Sequence, residues 1–64
     1  MPQQYQTFTL IKDLNPAITA GMVGIIIEVF DEDNFEVEFV KSDGSNYEFK
    51  GQFTFTVHAD MFNL

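Results

Sequence analysis

Strict alternation of apolar and polar residues is the strongest pattern in the chain, and it is clearest over residues 47–57. There Tyr47, Phe49, Phe53, Phe55 and Val57 hold odd positions, and Glu48, Lys50, Gln52, Thr54 and Thr56 hold even ones. A period of two places all the odd side chains on one face of an extended chain, so it predicts a half-buried strand. Gly51 is the one odd position without a side chain. Glycine within a strand marks a bulge or a sharp bend, and small barrels need such a bend to close. The segment is therefore expected to be one long strand folded over at Gly51. Phe35, Val37 and Phe39 alternate with Glu36 and Glu38 in the same way. Residues 22–30 are nearly all apolar. Parity there predicts Val23, Ile25, Ile27 and Val29 on the inner face and Gly24, Ile26, Glu28 and Phe30 on the outer one. Residues 5–11, rich in threonine and aromatics, predict a first strand, with Leu10 and Leu14 pointing inward. Asn15-Pro16 ends it, because proline has no N–H for a ladder and asparagine favours turns. Residues 58–61 suit one short helical turn, and residues 62–64 a last short strand. No segment carries a helical period. The class is all-β, with about five antiparallel strands in a single domain spanning residues 1–64.

Hairpin parity refines this picture, because residues directly opposite in an antiparallel pair share a face. A two-residue turn at Asp43-Gly44 would set Phe39 opposite Glu48, against the alternation. An odd-length loop or a bulge removes the conflict. With Asp43, Gly44 and Ser45 as the loop, Phe39 faces Phe49, Phe35 faces Phe53 and Glu38 faces Lys50. Taking Asp31, Glu32 and Asp33 as the earlier loop pairs Val29 with Phe35, Ile27 with Val37 and Ile25 with Phe39. It also sets Glu28 against Glu36, a like-charge pair that is unfavourable by about 0.2–1 kcal/mol.

Composition narrows the function classes. Sixty-four residues bury only roughly 60% of the surface the unfolded chain exposes. With no cysteine, neither disulfides nor thiolate metal sites can reinforce the fold. Eight Phe and two Tyr supply the core instead. Ten acids against three lysines give a formal net charge of -7, which argues against a sequence-independent grip on phosphate backbones. No apolar run approaches the roughly 20 residues of a membrane span, and no basic start precedes an apolar run as in a signal peptide. The lack of cysteine is compatible with the cytoplasm.

Several short runs carry a family resemblance. They are Thr9-Leu10-Ile11-Lys12-Asp13-Leu14-Asn15-Pro16, the turn and strand from Ala20-Gly21-Met22-Val23-Gly24 through Val29, Phe35-Glu36-Val37-Glu38-Phe39-Val40, Asp43-Gly44, and Ala59-Asp60-Met61-Phe62. Together the chain resembles a family of small bacterial proteins known as domain of unknown function 4926. It departs from that pattern in a longer stretch around Lys50-Gly51-Gln52 and in His58, where proline is usual. The resemblance implies a small SH3-like, partly open barrel. It implies no activity, and it suggests companionship with the products of neighbouring genes, some of them antitoxin-like. Gly21-Met22-Val23-Gly24 before an apolar strand also looks like a KOW motif. Nucleic-acid-binding KOW domains bring lysine and arginine, however, and this chain has no arginine.

Candidate chemistry is sparse. His58 is the only histidine, and the only serines, Ser42 and Ser45, fall in a predicted turn elsewhere, so no nucleophile is expected within its reach. A strand-end histidine before a helical turn is the simpler reading. Asp31-Glu32-Asp33 fails the EF-hand pattern, since Phe35 stands where a ligand is needed, and a solvated hairpin tip accounts for it. No nucleotide fingerprint, cofactor motif or metal set is present, and no enzymatic activity is expected. The acids Glu28, Asp31, Glu32, Asp33 and Glu36 are expected to form one acidic patch, flanked by outward Ile26 and Phe30. Tyr5, Ile11 and Phe62 are expected to be partly exposed. Such a surface suits a protein interface. Three readings follow: a non-enzymatic interaction module for a basic protein, in its narrowest form antitoxin-like; a KOW-like nucleic-acid binder; and a structural homo-oligomer.

Overall fold

A computed structural model describes residues 2–64, and among them all regular structure is β apart from one 3-10 turn. The strands are β1 (Thr7–Leu10), β2 (Val23–Val29), β3 (Asn34–Phe39), β4 (Thr54–His58) and β5 (Phe62–Asn63), with the 3-10 turn Ala59–Met61 between the last two. They form one antiparallel sheet in the order β4-β3-β2-β1-β5. The sheet curls without closing, which is the expected small SH3-like, partly open barrel of five strands.

The core lies inside the curl and is entirely apolar. Phe35, Val37 and Phe39 of β3 are wholly buried, and Phe8, Leu10, Phe55, Val57 and Phe62 close on them. The rings form a connected chain. Phe62 packs on Phe8 and Phe35 with centroids 4.8 and 5.5 Å away, and Phe39 meets Phe8 at 5.6 Å and Phe55 at 6.1 Å. Tilted and edge-on pairs of this kind are worth about 0.5–1.5 kcal/mol each beyond area burial, which matters in so small a core. Phe62 is thus only 6% exposed, against the expectation that it faces solvent. Ile18 is also fully buried, although it lies in a loop. Asn15 folds that loop inward: its Oδ1 accepts the N–H groups of Ala17 and Ile18, both at 2.9 Å.

The faces of β2 are the reverse of the parity expectation along its first half. Ile26 is 0% exposed, whereas Val23 is 57% exposed and Ile25 half-buried. Gly24 explains the inversion. A Cβ there would lie 2.5 Å from Phe8 Cζ, 2.9 Å from Phe39 Cε1 and 2.9 Å from the Glu38 carbonyl oxygen. The missing side chain is space that two core rings occupy, so the even positions turn inward. The register then shifts between Ile26 and Glu28, a β-bulge. One extra residue restores the expected parity beyond it, and Glu28 pairs with Glu36 and Val29 with Phe35 as the sequence predicts. Before the bulge, Val37 faces Ile26 and Phe39 faces Gly24, instead of Ile27 and Ile25. The N-terminal segment serves the bulge: Gln4 Nε2 donates to the Ile27 carbonyl at 2.9 Å, and Tyr5 N–H to the Ile26 carbonyl at 2.6 Å.

The second hairpin has the expected odd-length loop but a different register. Lys41 N–H bonds Ser45 O at 2.7 Å and Tyr47 N–H bonds Phe39 O at 2.8 Å, so Phe39 faces Tyr47 rather than Phe49. Residues 47–53 then leave the ladder. Phe49 and Gln52 exchange two backbone bonds of 3.0 Å around Lys50 and Gly51, whose φ values are 51° and 81°. Two successive positive φ values make a tight primed turn. Gly51 is therefore part of a hairpin tip and not a bend in one long strand. The excursion moves the pairing along, so that Val57 faces Phe35, Phe55 faces Val37 and Thr54 faces Glu38. Phe53, expected opposite Phe35, is left largely exposed, and Lys50 is not the partner of Glu38.

Candidate binding surface

The outer face of the sheet is built by the residues that alternate with the core. β1 presents Thr7 and Thr9, β2 presents Val23, Ile25 and Glu28, β3 presents Asn34, Glu36 and Glu38, and β4 presents Thr54, Thr56 and His58. Among these outward positions there are three carboxylates and no lysine. Glu36 leans toward β4: its Oε1 accepts the Thr56 hydroxyl at 2.8 Å and its Oε2 the Thr54 hydroxyl at 3.0 Å. Glu38 Oε2 accepts the Asn46 side-chain amide at 3.2 Å. Beside Glu38, Thr7, Val23, Gly24, Ile25 and Val40 line a shallow, open depression of about 280 Å³.

The expected acidic residues divide into two groups. Glu28 and Glu36 stand opposite each other on the outer face. Asp31 is committed to the turn. Its Oδ1 accepts the N–H groups of Asp33 and Asn34 at 2.8 and 2.9 Å, and Asn34 Nδ2 bonds both of its oxygens. The Asp33 N–H, then the Asn34 side chain, hold its carboxyl below the usual carboxylate value. Glu32 and Asp33 remain exposed at the hairpin tip. Of the two expected apolar neighbours, Phe30 is 52% exposed but Ile26 lies in the core, so Val23, Ile25 and Val40 take its place on the surface. Glu38 and the two threonines of β4 were not among the expected site residues. The parity of Glu38 with Glu36 is visible in the sequence, but the assumed Lys50 partner masked it.

His58 stands at the end of β4, as expected, and caps the 3-10 turn. Its Nδ1 lies 3.0 Å from Asp60 Oδ1 and 3.3 Å from the Asp60 N–H. One nitrogen cannot serve both: protonated, it donates to the carboxylate, and unprotonated, it accepts the N–H. The histidine contact first, then the Lys12 charge, lower the Asp60 carboxyl. Lys12 Nζ is 3.5 Å from Asp60 Oδ2. The other lysines lie over rings, Lys41 above Tyr47 at 5.2 Å and Lys50 above Phe49 at 5.4 Å. Among the described residues, no three of His, Asp or Glu gather into a set that could hold a metal ion, and no helix is long and apolar enough to cross a membrane.

The profile of the family described as Domain of unknown function (DUF4926) matches residues 5–51. The chain belongs to this family. The match takes in β1, β2, β3 and the loop 41–45, and it ends at Gly51, in the turn of the excursion. The two departures noted from the DUF4926 pattern therefore fall at the end of the matched span, around Lys50-Gly51-Gln52, and beyond it, at His58. The acidic outer positions Glu28, Glu36 and Glu38 lie within the family match, whereas Thr54 and Thr56 lie outside it. No curated protein and no solved structure matches the chain.

Proposed function

We propose that this DUF4926 protein is a non-enzymatic interaction module whose outer sheet face recognises a basic protein. The observation that carries this reading is the make-up of that face: Glu28, Glu36 and Glu38 beside exposed Val23 and Val40, with no lysine among the outward strand positions. A face of apolar contacts edged by one sign of charge gains contact energy from the first and fast, steered association from the second. Keeping Glu28 opposite Glu36 costs about 0.2–1 kcal/mol in folding, a cost that an incoming cation removes. Each lysine is engaged by a different side chain, Asp60, Tyr47 or Phe49, which favours a protein partner over a nucleic acid. In its narrowest form the reading is antitoxin-like, an acidic chain covering the basic surface of a neighbouring gene product.

Association kinetics with the product of an adjacent gene test it. Glu36→Lys should slow association and flatten its dependence on salt while leaving the fold intact. A basic partner that binds the variant at an unchanged rate at every salt concentration removes the electrostatic reading.

A further inference from the structure

We infer that the free edge of β4 is a docking site for an extended basic peptide, which joins the sheet beside β4 as a sixth strand. This rests on the reading that the partner is basic and adds how it binds.

The first observation is the backbone. Ala59 N–H donates to Asp33 O at 2.8 Å, in register with the β3–β4 pairs, so residues 59 and 33 form a hydrogen-bonded pair. Bonded and non-bonded pairs alternate in an antiparallel ladder. Phe55 and Val57 therefore bond β3, and the N–H and C=O groups of Thr54, Thr56 and His58 point away from it. Among the described residues those backbone groups make no other hydrogen bond. Nothing blunts the edge either: Thr54–His58 contains no proline, lysine or bulge. The other sheet edge, β5, is only two residues long.

The second observation is the cleft along this edge. It has a volume of about 320 Å³, with Leu14 and Phe49 packed against the core on one side, Glu36, Thr54 and Thr56 of the outer face on the other, and Asn15, Gln52 and Phe55 completing the lining. An added strand would send alternate side chains to these two sides. Apolar ones would enter between Leu14 and Phe49. Cationic ones would lie over Thr54 and Thr56, within reach of the Glu36 carboxylate that both hydroxyls already draw toward β4. Charge selects this occupant over a second copy of the chain. Pairing two β4 strands would bring two Glu36 carboxylates together on molecules that each carry a net charge of -7.

A short peptide of alternating lysine and valine is the probe, added to the full chain and followed by amide-resolved hydrogen exchange and NMR shifts. Exchange at Thr54, Thr56 and His58 should slow by about tenfold, the equivalent of one hydrogen bond. The same peptide N-methylated on alternate amides should not bind. Thr56→Pro removes an edge N–H that the fold does not use, so it should abolish binding with protection of Phe35 and Val37 retained. Glu36→Gln should weaken binding severalfold and leave the protected amides unchanged. Binding that shifts Ile25 and Glu38 without protecting β4 overturns the edge site but leaves the acidic outer face standing. Equal binding of a glutamate–valine peptide overturns the basic occupant. Protection of β4 in the free protein with a dimer mass by light scattering points to a second copy instead. Absence of any binding at millimolar peptide overturns the proposal, while the kinetics of Glu36→Lys still judge the outer-face reading separately.

Discussion

The two faces of β3 are made by one run of six residues and obey opposite rules. Inward, Phe35, Val37 and Phe39 have no exposed surface and touch rings from three other strands. Outward, Asn34, Glu36 and Glu38 remain partly exposed, and the two glutamate side chains bond the polar side chains of Asn46, Thr54 and Thr56. The inner face is close-packed, so a change of one methylene is felt there. The outer face holds a like-charge pair that better folding would not select. In a domain with so little interior, stability is concentrated on one side of each strand, and the other side carries the polar and charged residues.

The largest test of this division sets Ile26 against its near neighbour Val23. Ile26→Ala should cost about 2–5 kcal/mol, because it empties part of the core. Val23→Thr should stay within about 0.5 kcal/mol, as surface changes do. Denaturant unfolding followed by circular dichroism measures both, and similar costs would erase the distinction between the faces. Gly24→Ala should follow, with a loss of about 1–3 kcal/mol from crowding Phe8, Phe39 and the Glu38 carbonyl. A neutral result there would mean the rings can give way.

On the outer face the sign should reverse. Glu28→Thr should stabilise the fold by about 0.2–1 kcal/mol by relieving the pair with Glu36, and should weaken binding of a basic partner. A destabilised variant would show that Glu28 serves the fold after all. The smallest effect belongs to the turns, which lie on neither face. Asp31, Asp43 and Asp60 all have lowered carboxyls, held first by the Asp33 N–H, the Ser45 hydroxyl and the His58 ring respectively. A folded value below the unfolded 3.8 means that their contribution is complete above that pH and fades as pH falls through it and below. Exchange protection at the Asp33 and Ser45 amides, measured against the intrinsic rate at each pH, should therefore fall in acid before protection at Phe35 does. Asp31→Asn should remove that pH dependence at Asp33 and Asn34 and leave it in place at Ser45.

Much of the fold was legible in the chain, and the misses share one origin. Alternation in Phe35-Glu36-Val37-Glu38-Phe39 located β3 and both its faces, turn chemistry at Asn15-Pro16 placed the break after β1, and Asp31-Glu32-Asp33 placed the turn between β2 and β3. The Glu28–Glu36 pair followed from loop length alone. Where runs were uniformly apolar, as at Gly24-Ile25-Ile26-Ile27, either parity fitted the residues, and Ile26 was placed on the wrong side. Around Gly51 one glycine was compatible with a bend or a turn tip, and the difference moved Phe53 from the core to the surface. Glu38, Thr54 and Thr56 were missed as site residues because their grouping depends on that register.

The sequence by itself determined the all-β class, the five strands, the 3-10 turn before the last of them, and an acidic outer surface on β3. Those features depend on local alternation, turn residues and charge, which neighbours in the chain supply. Only the tertiary structure decided that Ile26 faces the core, that Phe62 is buried between Phe8 and Phe35, and that the β4 edge stays open beside Leu14 and Phe49. Each of these depends on which rings fill the space over Gly24 and on where a bulge and a hairpin excursion reset the register. Those are contacts between residues far apart in sequence, and no local pattern encodes them.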